Sequence, residues 1–225
     1  MTCDCIIPFF NEGDRVYDLL LEMHHSKQIS QIICVDDGST ESSTYYTLKK
    51  EFPKAKIVRF TKNLGRAEAI KAGLDISNSD YVLIMDADLQ NVNVQEFDSN
   101  IQKLFEYSDI DMLILRRING VLFHKLIRTD YIFVERIVRR TLLNDIFKQK
   151  LKNFQIDSAL NQYMIDHHKK VYWLPSTATS VSKTTKYGLV KGFYLDTKMT
   201  FEIWSYVGLP NYFRQRIFFG HDQLA

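Results

Sequence analysis

Short, mostly apolar runs alternate along the first half of the chain with stretches in which apolar residues recur every three or four positions. Cys3 to Pro8, Gln31 to Val35, Lys56 to Phe60 and Tyr81 to Met85 are five or six residues long. That is the length of a strand buried on both faces. Between them, Val16, Leu19, Leu20 and Met23 predict an amphipathic helix over 14–26. Ser39 or Thr40 is placed to cap a second helix over 41–51. Ala67, Ile70, Ala72 and Leu74 predict a third helix over 66–77. A β-α-β-α-β-α-β series implies an α/β fold, with a mostly parallel sheet and helices on both faces.

The second half is patterned differently. Asp111 to Leu115 predicts a fifth strand that ends in Arg116-Arg117. Phe123, Leu126, Ile127, Tyr131, Val134, Ile137 and Val138 form an apolar stripe, which predicts one long helix over 121–150. Between Arg116 and Arg140 lie seven Lys or Arg (positions 116, 117, 125, 128, 136, 139 and 140) against Asp130 and Glu135. Such a basic amphipathic helix can lie on an anionic membrane surface or simply pack on its own sheet. A helix at 158–168 begins beside Asp157, which is either its N-cap or a functional acid. His167 and His168 point to different faces and make a poor metal pair. A strand over Val171 to Leu174 follows, then a polar, basic loop at 182–188 and a helix at 196–207. The tail from Pro210 is aromatic and basic, suited to a membrane or a dimer contact.

The chemistry gathers where strands end. Asn11 and Glu12 follow the first strand, Asp36 and Asp37 the second, and Asp86, Asp88 and Gln90 the fourth. Carboxylates inside a core are costly unless paired or bound to a metal. In an open α/β sheet the carboxyl ends of the strands are where ligands sit. Hard oxygen donors suit Mg2+ or Mn2+ bridging to a substrate phosphate. An Asp-rich turn or a helix cap would give the same letters for Asp86 and Asp88. Neither a G-x-G-x-x-G fingerprint nor a G-x-x-x-x-G-K-[ST] phosphate loop is present.

Composition narrows the class without deciding it. The 225 residues are 45% hydrophobic and 25% charged, ordinary for a globular protein. A net charge of +2 offers no bulk field for nucleic acid. Cys3, Cys5 and Cys34 supply no four-ligand zinc set and read as buried reduced thiols. No signal peptide opens the chain and no run of about 18 apolar residues could span a bilayer. A cytoplasmic protein, peripheral on the inner face of a membrane if its basic segments reach one, is the expectation. Nothing fixes an oligomeric state.

Four strings stand in order over roughly residues 3–117: I-I-P-F-F-N-E (6–12), V-D-D-G-S-T (35–40), N-L-G-R (63–66) and M-D-A-D-L-Q (85–90). Together they resemble the family 2 glycosyltransferases of the GT-A fold. The subgroup they look most like is the polyprenyl-phosphate (dolichyl-phosphate type) sugar transferases. The resemblance implies one GT-A domain over 1–225, with a nucleotide-sugar half at 1–117 and an acceptor-side half at 118–225. It implies donor contacts from Pro8, Phe10 (a tyrosine in the family pattern), Asn11, Glu12, Asp36, Asp37, Asn63, Gly65, Arg66 and Asp86. It implies a divalent metal on Asp86, Asp88 and Gln90, and diphosphate contacts from Lys183 and Lys186. Arg117 would meet an acceptor phosphate, and Asp157 would stand near the acceptor as a base. The implied reaction is inverting transfer of a sugar from a nucleotide diphosphate sugar to a polyprenyl phosphate. A saccharide hydroxyl acceptor, or a binding protein that has lost catalysis, remains open.

Overall fold

A computed structural model describes residues 1–107, 109–118, 134–181 and 183–224. Eighteen elements are described. In chain order they are β1 (Cys3–Phe9), α1 (Asp14–Met23), β2 (Ile29–Asp36), α2 (Ser43–Glu51), β3 (Lys56–Arg59), α3 (Arg66–Ile76), β4 (Tyr81–Ile84), β5 (Leu89–Gln90) and α4 (Val94–Glu106). The second half continues with β6 (Met112–Arg117), β7 (Arg136–Arg139), α5 (Arg140–Ile146), α6 (Gln155–Asp166), β8 (Val171–Ser176), β9 (Thr179–Ser180), α7 (Lys183–Tyr187), α8 (Leu189–Val207) and α9 (Leu209–Phe218).

Seven strands form one sheet in the order β3-β2-β1-β4-β7-β6-β8. All neighbours are parallel except β7, which runs antiparallel to both β4 and β6. A second, two-stranded ribbon pairs β5 with β9. Alternation along the strands splits the core into two layers, as a sheet covered on both faces requires. Cys3, Cys5 and Ile7 of β1, with Tyr81 and Leu83 of β4, pack against α1 and α4. Ile6, Val82 and Ile84 face the opposite way, against α3, α5 and α6. Helix α3 approaches the sheet closely at Gly73, where any Cβ would press on the Ile6 side chain.

The first-half elements match the predicted series, with the α1 helix ending at Met23. Two expectations fail in detail. Helix α2 is preceded by Ser42 rather than Ser39 or Thr40. Those two residues instead tie the first strand's loop to the second: the Asn11 amide donates to Ser39 Oγ at 2.9 Å, and the Thr40 amide donates to Asn11 Oδ1 at 2.9 Å. Helix α4 lies where the sequence analysis assigns no element. Its cap is nonetheless standard, since the Asn93 side chain accepts from the Gln95 and Glu96 amides.

The second half needs more correction. Among the described residues of the predicted helix over 121–150, Arg136–Arg139 form a strand and Arg140–Ile146 a helix. Phe123, Leu126, Ile127 and Tyr131 lie outside the described residues. Val134, Ile137 and Val138 are buried in the core. The basic residues that follow them are tied to the sheet. Arg139 donates to the Tyr81 hydroxyl at 2.7 Å, and Arg140 donates to the Ser79 carbonyl at 2.8 Å. A membrane-facing basic helix is therefore not what 134–140 forms. Helix α6 begins at Gln155, so Asp157 sits in its first turn and is not its cap. The loop expected at 182–188 contains the short helix α7, and the helix expected at 196–207 begins at Leu189. The tail from Pro210 to Phe218 belongs to α9.

Candidate active site

The parallel strands β1, β2 and β4 deliver Glu12, Asp36, Asp37, Asp86 and Asp88 to one edge of the sheet. The antiparallel strand β7 adds what the sequence analysis missed. Because it runs the other way, its first residue, Arg136, pairs with Ile84 at the end of β4. Glu135 and Arg136 thereby join the edge where the acids emerge. A helical reading of 121–150 hides this. The visible signal is a Glu-Arg pair set between Val134 and Ile137-Val138, which suits the start of a strand.

A chain of ion pairs crosses this edge. Arg66, at the first position of α3, donates from Nη2 to Asp86 Oδ1 at 3.0 Å and from Nη1 to Asp157 Oδ2 at 2.9 Å. Arg136 has 1% of its side chain exposed and lies 3.8 Å from the same carboxylate. It also donates to Asn161 Oδ1 at 2.9 Å. Asp157 is thus held between two guanidiniums. Arg117, at the end of β6, donates from Nε to Glu135 Oε2 at 3.1 Å and from Nη1 to Ser180 Oγ at 2.5 Å. Lys186 of α7 reaches Asp88 Oδ2 at 2.7 Å and Glu12 Oε1 at 2.8 Å.

Protonation follows from this layout. Burial would raise the Asp86 pKa, but Arg66 and Arg117 outweigh it and hold the carboxyl below its usual range. Asp88 goes the other way. Its burial and the neighbouring Asp86 push it up against the bond from Lys186. Burial also raises Glu135 above the usual range, although Arg117 opposes it. For Arg66, burial works against the charge, but Asp157 and Asp86 more than restore it.

Other expected residues shape the site's floor. Asp36 is fully buried, its Oδ1 accepting from the Ser39 amide at 2.8 Å and its Oδ2 lying 3.2 Å from Arg59 Nε. Asp37 accepts from the Leu64 and Gly65 amides at 2.7 and 2.9 Å. Pro8 is buried within β1 and pairs with Val35. Phe10 is 38% exposed just beyond β1, and Asn63 is exposed beside Gly65. Gln90 lines a cavity of about 400 Å3 against Arg15, Asp18 and Glu22 of α1. Lys183 opens α7, and its side chain lies outside the described part of the structure.

Among the described residues, no three His, Cys, Asp or Glu side chains converge as a ready metal centre. The donor chemistry nonetheless fits Mg2+ or Mn2+. Asp88 offers hard oxygens in a partly buried place, beside a second carboxylate, and already carries an ammonium. Such ions commonly take one or two carboxylates and complete their shell with substrate phosphates.

The glycosyl transferase family 2 model matches residues 4–159. Among curated relatives, the chain is 30% identical over 140 residues to dodecaprenyl-phosphate galacturonate synthase of Rhizobium johnstonii, covering 59% of this chain and 38% of that one. It is 31% identical over 115 residues to dolichyl-phosphate beta-glucosyltransferase of Saccharomyces cerevisiae, covering 45% and 32%. The chain thus matches well under half the length of these relatives. Among solved structures, glucosyl-3-phosphoglycerate synthase from Mycobacterium tuberculosis with Mn2+, UDP and phosphoglyceric acid superposes with a TM-score of 0.70. That match has 13% identity and covers 96% of this chain and 78% of that one. A mannosyltransferase from Pyrobaculum calidifontis with GDP-Man and Mn2+ gives 0.64 at 14% identity, covering 95% and 73%. These likenesses show the GT-A fold. With the family model spanning more than half of the chain, the protein belongs to glycosyl transferase family 2.

Proposed function

We propose that the protein is an inverting, divalent-metal-dependent glycosyltransferase that moves a sugar from a nucleotide diphosphate sugar to a polyprenyl phosphate. The observation that carries this reading is the pairing of acids and guanidiniums at one sheet edge. Asp86 lies beside Arg66, Arg117 and Arg136, and Asp88 beside Asp86 and Lys186. The relatives named for dodecaprenyl-phosphate and dolichyl-phosphate chemistry support the acceptor class.

Phe10 presents an exposed ring where a base can stack, with Asn11 and Asn63 at the same edge. Asp36, Asp37 and Gly65 hold the loops that shape this end. A bound Mg2+ or Mn2+, held by Asp88 with Asp86 and Gln90, would supply charge neutralisation for a leaving diphosphate. Arg66 fixes Asp86 in its ionised form, and Lys183 and Lys186 stand on the helix nearest the diphosphate position. Arg117 spends its fork on Glu135, so the group it offers an acceptor phosphate is Nη1, which the Ser180 hydroxyl now accepts from.

The state of Asp157 bears on the acceptor. A saccharide hydroxyl wants a general base. Asp157 is buried between Arg66 and Arg136, which compete for any proton-accepting lone pair. A lipid phosphate is already an anion and needs no base. This geometry favours the phosphate acceptor and makes Asp157 a positioning residue.

We also place the protein peripherally on the cytoplasmic face of a membrane. Leu189, Val190, Phe193 and Phe201 are more than 65% exposed on α8, and Phe213 and Ile217 are more than half exposed on α9. Exposed aromatic and aliphatic residues of this kind suit an interface. No helix among the described residues is long and apolar enough to cross a membrane.

A donor screen by thermal shift tests the reading, using UDP-, GDP- and dTDP-sugars with and without Mn2+. A ligand at about 100 times its Kd adds about 2.7 kcal/mol. A Mn2+-dependent shift with one nucleotide, abolished in Asp88→Ala, is expected. A shift that survives Asp88→Ala removes that residue from the metal site, and no shift with any donor overturns the reading.

A further inference from the structure

We propose that Lys186 is a resident counter-cation of the donor site: its ammonium holds Asp88 and Glu12 in the metal-free protein and must leave before a divalent ion can load. This rests on the reading of Asp88 as a metal ligand. It adds that loading is an exchange of one cation for another, with Glu12 as the second anchor.

The geometry is that of a filled cation position. The Lys186 ammonium lies 2.7 Å from Asp88 Oδ2 and 2.8 and 3.0 Å from the two oxygens of Glu12. Those oxygens match an ammonium's three donors. The lysine side chain is 9% exposed, and the two carboxylates are 15% and 16% exposed. The contact spans the chain, because Glu12 follows β1 while Lys186 sits on α7, 174 positions later.

Removing the ammonium would leave Asp88 uncompensated beside Asp86, and Glu12 with Arg15 as its remaining cation. A divalent ion is the replacement that keeps them neutralised. It needs oxygens at about 2.0–2.2 Å, within the volume that the ammonium fills, so the two cannot share Asp88.

The segment that carries Lys186 is built to swing. Helix α7 has only five residues and is followed by Gly188, which precedes α8. Gly188 has φ +81°, and the space around its Cβ position is open. A rotation at that joint can withdraw Lys186 without disturbing the sheet. The released ammonium then faces the donor's diphosphate. Apparent metal affinity is lowered by the fraction of molecules in which the lysine is seated.

The test reads metal binding, without donor or acceptor. Mn2+ affinity is measured by electron paramagnetic resonance for the full chain and for Lys186→Met and Asp88→Ala. Lys186→Met is expected to bind Mn2+ about tenfold more tightly than the parent, the tax of a lysine seated in nine molecules of ten. Asp88→Ala is expected to bind none. Amide exchange on the unaltered protein is the second measurement, and residues 183–188 should exchange faster once Mn2+ saturates. Equal affinities in the parent and Lys186→Met overturn the proposal while leaving the metal reading standing. If Lys186→Met fails to fold, Mn2+ binding that leaves exchange at 183–188 unchanged overturns it. Absence of Mn2+ binding in both proteins overturns the metal reading as well.

Discussion

Ile84 and Arg136 are direct partners across the antiparallel pair of β4 and β7. This places a guanidinium with 1% exposure one residue away from where the strand carrying Asp86 and Asp88 leaves the sheet. A cation so buried persists only with partners, and Asp157 and Asn161 supply them.

Arg136→Ala should therefore destabilise the fold strongly. Asn161 loses its buried donor, and Asp157 keeps only Arg66. A loss of about 3 kcal/mol in denaturant unfolding is expected, the scale for breaking a buried pair from one side. A loss under about 0.5 kcal/mol, typical of a surface substitution, would show that the guanidinium is not held as described.

Arg117 tests the acceptor side. Alanine there would strand Glu135, which is fully buried, so lysine is the better probe. Arg117→Lys keeps a charge on Glu135 but loses the two-pronged fork. The acceptor KM should rise about tenfold or more, while donor binding by thermal shift stays within about twofold. Equal effects on donor and acceptor would count against a phosphate contact.

The turn after β2 depends on one glycine. Gly38 has φ +73°, and a Cβ there would run into the Lys62 backbone. Gly13 also has a positive φ, +54°, but has open space around it. Gly38→Ala should cost about 1–3 kcal/mol more than Gly13→Ala, the cost of adding a clash to a strained backbone. Matching melting temperatures for the two variants would refute that account.

On β1 and β2, the thiols give a pH dependence. Burial pushes Cys34 up to about 12 and raises Cys3 and Cys5 further. The unfolded chain releases these protons near pH 8.5–9, whereas the folded protein keeps them. Stability contributed by the neutral thiols is thus complete below about pH 8. It falls above it by up to about 1.4 kcal/mol per pH unit for each thiol. Ellman's reagent should label none of the three at pH 8 in the folded state and all three in guanidinium. Rapid labelling of the native protein would contradict their burial.

How much of this was legible in the sequence varies along the chain. The first half obeys local rules: apolar runs end in acids, the helices between them have clear periods, and the sheet follows. The site's acids were visible there because a carboxylate after a buried run has few other places to go. Arg66, Arg117 and Lys186 were also legible in the sequence, but Glu135 and Arg136 were not, since they acquire meaning only from the reversed direction of β7. An apolar stripe with charges between it has the same letters in a helix or a strand. Asp36 and Asp37 are held by partners distant in sequence, Arg59, Leu64 and Gly65, which no local pattern announces. Helix α4 is missing from the predicted series although the cap at Asn93 and the spacing of Val94, Phe97, Ile101 and Leu104 spell it.

The insertion of β7 between β4 and β6 also governs how the chain is made. When the ribosome has delivered β1 to β4, the strands that carry the donor-side acids can already pair, but β4 presents a bare, apolar edge. An open edge of that kind recruits other strands. It stays unprotected until residues 136–139 emerge and pair antiparallel to it. A fragment cut after Arg117 would therefore keep every donor-side motif and still be prone to aggregate. Expression trials on shortened chains should retain residues through at least Ile146, which closes the edge and adds the helix that covers it.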